Sequence, residues 1–187
     1  MAFLTGSSID QNLFRWISGA TGAVLALWFI YEKWIWKWPL FDKISSYYGT
    51  PVVYGTWKGT LKYEKDQEGK SGSVDVYVAI SQTLTSLSVR SFFRHPSESY
   101  SITAKIKDSE SKGRQLVYSY RSEAPHGSRD NNRPHDGVCI LNIIGSPVKK
   151  LDGSYFTDRG GAGIITLDKH CNKLAESFDD SENLNYL

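Results

Sequence analysis

The chain is 187 residues long and carries 22 Lys and Arg against 20 Asp and Glu, a net charge of +2. That length leaves one domain of about 130–140 residues once an apolar N-terminal stretch is set aside, which is enough to bury a core. A charge balance this even excludes a broad nucleic-acid-coating surface, so no DNA or RNA partner is expected.

The first element is Leu13–Tyr31, LFRWISGATGAVLALWFIY, 19 residues with Arg15 as the only charge. As a helix it spans roughly 28 Å, close to the ~30 Å of a bilayer's hydrocarbon core. A cleaved signal peptide would need a shorter apolar run and a small-x-small site after it, but Trp28-Phe29-Ile30-Tyr31 is followed by Glu32-Lys33-Trp34. A buried core helix is the other alternative. Length and flanking residues favour a membrane-spanning helix. Lys33, Lys37 and Lys43 follow the helix, against Arg15 and Asp10 at its start, so the positive-inside rule places the C-terminal side in the cytoplasm. Five of the six tryptophans fall in the first 38 residues, and Trp34, Trp36 and Trp38 alternate with lysines as in an aromatic belt. Residues 34–41 could dip into the bilayer as a second segment, too short to span alone. Ser18, Gly22 and Ala26 recur every four residues, a face on which another copy could pack closely. Small residues are also simply common in membrane helices, and the two readings weigh equally. Residues 1–48 are thus expected to form a membrane segment.

From Val52 the period becomes two, with small or apolar residues at Val53, Gly55, Trp57, Gly59, Leu61 and Tyr63. The alternation returns in Val74/Val76/Val78/Ile80, Leu87/Val89/Ser91/Phe93, Tyr100/Ile102/Ala104/Ile106 and Leu116/Tyr118/Tyr120. His135–Ile144 is apolar on both faces and its register stays open. Leu151/Gly153/Tyr155/Thr157/Arg159 and Gly163/Ile165/Leu167 complete eight strands. Eight antiparallel strands without intervening helices predict an up-and-down, lipocalin-like barrel over residues 50–170, with a β-sandwich as runner-up. Residues 171–187 are polar and acidic and are expected to form a loose tail.

Strand parity puts the loops after strands one, three, five and seven at the end far from the membrane. The longest, Ser122–Pro134, carries His126, Arg129, Asn131, Asn132 and Arg133, groups suited to a polar or anionic ligand. Inward positions near this mouth are Phe93, Tyr100, Tyr118, Tyr120, His135, Tyr155, Thr157 and Arg159. Arg159 shares a face with Tyr155 and Thr157 and would point inward; it is at a wet rim, paired with a carboxylate, or available to an anion.

Nothing in the sequence argues for catalysis. Arg159-Gly160-Gly161-Ala162-Gly163 links two strands and reads as a hairpin turn, not a phosphate loop. Cys139 and Cys171 make neither a disulfide framework nor a zinc ribbon, and His170-Cys171 lacks a second ligand pair, so no metal is expected. Ser97, Ser99 and Ser101 lie in no nucleophile elbow.

GTWKGTL, VYVAISQTLTSLSV, SESYSI, QLVYSYRSEAP, NNRPHDGVCILNI and LDGSYFTDRGGAGIITL follow one another behind the apolar segment. This ordered series resembles the membrane-anchored β-barrel effectors of bacterial cyclic-oligonucleotide-based antiphage signalling (CBASS). The resemblance implies a barrel that binds a cyclic dinucleotide, no other cofactor, and membrane segments that assemble and breach the inner membrane, killing the infected cell. It implies ligand contacts from Tyr118, Tyr120, Asn132, His135, Tyr155, Thr157 and Arg159: aromatic faces for bases, a cation and polar groups for phosphates. It also implies two membrane helices, where this chain has one clear span. The Gly55-Thr56-Trp57 triplet is similar to the G-x-W of lipocalins, which gives an alternative function, a tethered carrier of an apolar ligand. A purely structural membrane-interaction module is a third.

Overall fold

The computed structural model describes residues 11–38, 50–64, 71–94, 97–111, 113–123 and 133–187. The first element is a 23-residue helix, α1 (Gln11–Lys33), closed by Lys33 in its last turn, where a cation suits the negative end of the helix dipole. None of its apolar window is buried against the rest of the chain. A helix apolar all round and uncovered by protein fits a lipid surroundings. Trp34 leads into a 3₁₀ turn, Ile35–Lys37, that buries Trp36. Residues 39–41 of the suggested second segment lie outside the described residues.

Eight antiparallel strands then close in sequence order into a barrel: β1 (Gly55–Tyr63), β2 (Gly72–Gln82), β3 (Leu87–Phe93), β4 (Glu98–Ser109), β5 (Gly113–Glu123), β6 (His135–Ile144), β7 (Lys150–Thr157) and β8 (Ala162–Cys171). Closure leaves no free sheet edge. The inward set includes Leu61, Val76, Val78, Ile80, Val89, Leu116, Cys139, Leu141, Leu151, Ile165 and Leu167, all buried in one cluster with Trp57, Tyr118 and Tyr120. At eight strands a barrel interior is just wide enough to be filled by side chains or to hold one small ligand; here these apolar side chains pack together within it. The ambiguous β6 places Gly137, Cys139 and Leu141 inward, opposite Tyr120, Tyr118 and Leu116 on β5.

Trp57 closes the end of the barrel nearer the helix. Its Nε1 donates to the Val53 carbonyl at 2.9 Å, and its ring lies 4.3 Å from that of His170. Gly55 makes this closure possible: its φ of 121° is open to glycine, and a Cβ there would strike the Cys171 carbonyl and the His170 ring.

Two expectations are corrected. Tyr100 and Ile102 face outward, 43% and 61% exposed. The β4–β5 register shifts between Ser101 and Thr103. A bulge adds one residue and so reverses which parity faces the core. Inward positions on β4 are therefore Ser99 and Ser101 before it, and Ala104 and Ile106 after it.

The C-terminal tail is not loose. β8 runs on to Cys171, and residues 174–187 strap the outer wall of β2 and β3, where Leu174, Ala175, Phe178, Leu184 and Tyr186 pack on Tyr77, Ala79 and Phe92. A short helix, α2 (Phe178–Glu182), is capped by Ser177. The last residue exchanges two main-chain hydrogen bonds with His170. The tail's apolar residues are spaced among acids, so average polarity hides them.

Candidate functional site

The two ends of the barrel differ. At the base, the end of α1 meets the β2–β3 turn. The Leu84 N–H donates to the Glu32 carbonyl at 3.2 Å, and the hydroxyls of Thr83 and Thr85 both donate to the Glu32 carboxylate. Lys37 lies 3.8 Å over the Tyr54 ring. The end of β5, the start of β6 and the β7–β8 turn are at the opposite end, as strand parity requires.

At that far rim Tyr120 is nearly buried, its ring laid over Gly137 of β6. A Cβ at Gly137 would lie 2.5 Å from the ring, so only glycine lets the aromatic lie flat against the wall. The same arrangement recurs between register partners Tyr63 and Gly72 and between Tyr155 and Gly163. Burial pushes the Tyr120 hydroxyl well above the usual phenol range, so it is a neutral hydrogen-bonding group. Tyr118 sits deeper, its ring 6.0 Å from that of Tyr120. Its hydroxyl interacts with Cys139 and Ser91, and burial pushes the Cys139 thiol up to about 12.

His135 begins β6 beside Tyr120, ring centroids 6.4 Å apart and edge to face. Arg159 lies past the end of β7, in the turn before β8, and is exposed. It does not point down into the barrel, because the alternation ends with the strand at Thr157. Its Nη2 approaches Nδ1 of His135 at 2.6 Å. A guanidinium only donates, so that nitrogen accepts and the imidazole is neutral. Burial lowers the His135 pKa, in accord with that state. Among the described residues no carboxylate pairs with Arg159. The neighbouring Arg121 is different: it grips Asp136 in two hydrogen bonds of 2.8 and 2.9 Å.

Thr157 shapes this corner. Its Oγ1 accepts from the Gly161 N–H at 3.0 Å, closing the turn that presents Arg159. Tyr155 is half-buried on β7 and Phe93 packs against the core cluster. Tyr120, His135, Thr157 and Arg159 thus gather at one rim, with Tyr155 on the same wall and Tyr118 beneath. Asn132, with His126, Arg129 and Asn131, lies outside the described residues; Arg133 is exposed beside His135.

Sequence reasoning missed a row of serines. Ser91, Ser99 and Ser122 are 5–6% exposed. They are successive register partners on β3, β4 and β5, and the row continues to His135 on β6. Ser91 stood in the predicted alternation, but the β4 bulge hid the inward direction of Ser99. Its signal was the hydroxyl residue on every second position of Ser97–Ser101.

A closed eight-stranded barrel preceded by a helix of membrane-crossing length, with an arginine, a histidine and aromatic rings gathered at its far rim, defines a class of small helix-bearing barrels. Residues 48–169 match the family described as Cap15, cyclic dinucleotide receptor domain. The chain belongs to that family, which bears out the resemblance read from its motifs. CD-NTase-associated protein 15 of Staphylococcus schleiferi is 28% identical over 139 residues, covering 74% of this chain and 70% of that protein.

Proposed function

We propose that this chain is an antiphage CBASS effector whose barrel binds a cyclic dinucleotide. Binding drives its membrane helices to assemble, disrupt the inner membrane and end the infected cell. Membership of a cyclic dinucleotide receptor family supports the ligand class. The observation that carries the site is Arg159: a cation at the barrel rim, held by a neutral imidazole and, among the described residues, by no carboxylate. An imidazole orients the guanidinium without neutralising it, so its charge stays available for a phosphodiester. Tyr120 and Tyr155 supply flat faces for bases, Thr157 holds the turn, Tyr118 supports Tyr120 from below, and Asn132 contributes from the adjoining loop. The protein acts as a receptor and not as an enzyme. The lysines after α1 favour a cytoplasmic barrel, and Ser18, Gly22 and Ala26 are the face on which subunits meet in the lipid.

The test is thermal unfolding of the full chain in detergent with cyclic dinucleotides. At a ligand concentration 100-fold above Kd, stabilisation is about 2.7 kcal/mol, roughly 8 °C for a domain of this size. Arg159→Ala should remove most of it. No shift with any cyclic di- or trinucleotide would sink the proposal.

A further inference from the structure

Among the described residues, a row of polar side chains crosses the inner wall at the far end of the barrel from His135 through Ser122 and Ser99 to Ser91. Ser91 is engaged by the Tyr118 hydroxyl. Ser99 and Ser122 are 6% and 5% exposed and directly opposite one another on β4 and β5. Among the described residues neither hydroxyl has a hydrogen-bond partner. Neither hydroxyl is among the fully buried, unpaired polar atoms of the described residues, so each is reachable from the mouth. Two such groups side by side, facing inward and leading to the rim, form a polar strip open to a ligand.

We infer that Ser99 and Ser122 read one nucleobase of the ligand. This rests on the cyclic dinucleotide reading of the mouth. The division of labour follows from charge. A phosphodiester belongs with Arg159 at the wet rim, whereas the described inward residues around the two serines carry no cation. What suits a neutral, narrow wall is a flat heterocycle with both donors and acceptors on its edge. A serine hydroxyl donates and accepts, so the pair can meet either kind of group. Tyr120 follows Ser122 on the same inward face of β5 and faces Ser101 across the β4–β5 pairing, which sets an aromatic ring beside the same strip. Arg159 and His135 fix the ligand's backbone; the serines choose among bases.

The experiment measures affinities of the full chain in detergent for cyclic di-GMP, cyclic di-AMP, cyclic di-UMP and cyclic GMP–AMP, in wild type and in Ser99→Ala, Ser122→Ala and the double variant. The expected result is an unliganded melting temperature unchanged or raised. Affinity for the best wild-type ligand should fall about tenfold in the double variant, and the ranking among the four should flatten. Ser154→Ala, on the outer wall, should change neither. Wild-type affinity and ranking in the double variant would overturn this inference and leave the ligand class standing. Failure of every cyclic dinucleotide to bind wild type would overturn both.

Discussion

Nη2 of Arg159 lies 2.6 Å from Nδ1 of His135. Because the guanidinium can only donate, this contact exists only while the imidazole nitrogen bears no proton. The Arg133 carbonyl stands 3.3 Å from the same nitrogen and waits as acceptor for the protonated form. Proton uptake therefore exchanges one partner for another and releases the arginine.

The pH dependence of stability follows. Burial is the main cause that lowers the pKa of both His135 and His170 below the unfolded value. The unfolded chain then binds more protons than the native one on the acid side, so stability rises with pH there. The contribution is complete above the ordinary histidine pKa of about 6.5 and is lost as pH falls below it and through the folded values. Melting temperature should drop from pH 7.5 to pH 5.5, and the drop should shrink in His135→Gln. An unchanged slope in that variant would place the titration elsewhere.

Gly137→Ala tests how tightly the rim is built. The added methyl would meet the Tyr120 ring at 2.5 Å and the Phe156 carbonyl at 2.8 Å, and backbone cannot swing aside. Overpacking of this kind costs about 1–3 kcal/mol. The expected reading is a lower denaturant midpoint with an unchanged slope, together with an altered near-ultraviolet tyrosine signal.

The membrane helix and the barrel should separate by mutation. Gly22 has nothing within 4 Å of where a Cβ would stand, so leucine there fits the isolated subunit. Gly22→Leu should leave ligand-induced thermal stabilisation intact while abolishing dye release from liposomes of bacterial lipid. Undiminished release would make the helix a tether only.

A feature is legible in the sequence where a local rule holds and hidden where a tertiary exception overrides it. Eight strands were readable because alternation has a fixed period and each strand has one buried face. Trp57 announced a closed end. Tyr100 misled because the β4 bulge is one extra residue, invisible to a period-two count until its partners Tyr120 and Ser119 are seen. Arg159 kept the parity of Tyr155 and Thr157 in sequence but lost it in space, since β7 ends before it. The C-terminal strap was missed because Phe178 and Tyr186 sit among acids; their fit is to Tyr77, with ring centroids 5.4 and 6.0 Å away, a relation that no local window contains. Ser99 and Ser122 were passed over for a different reason. Ser122 keeps the parity of Leu116, Tyr118 and Tyr120 but was counted with the long connection, whereas Ser99 lies before the bulge and only the register reveals that it faces inward.

Glu32 grips the β2–β3 turn through its carboxylate and its carbonyl at once, and Lys37 rests on Tyr54 a turn later. Glu32 stands in the last turn of α1, so turning the helix about its own axis would break these contacts. Under the proposed assembly, subunits meeting along the Ser18/Gly22/Ala26 stripe would therefore inherit a compass setting for their mouths, fixed by a glutamate at the foot of the barrel.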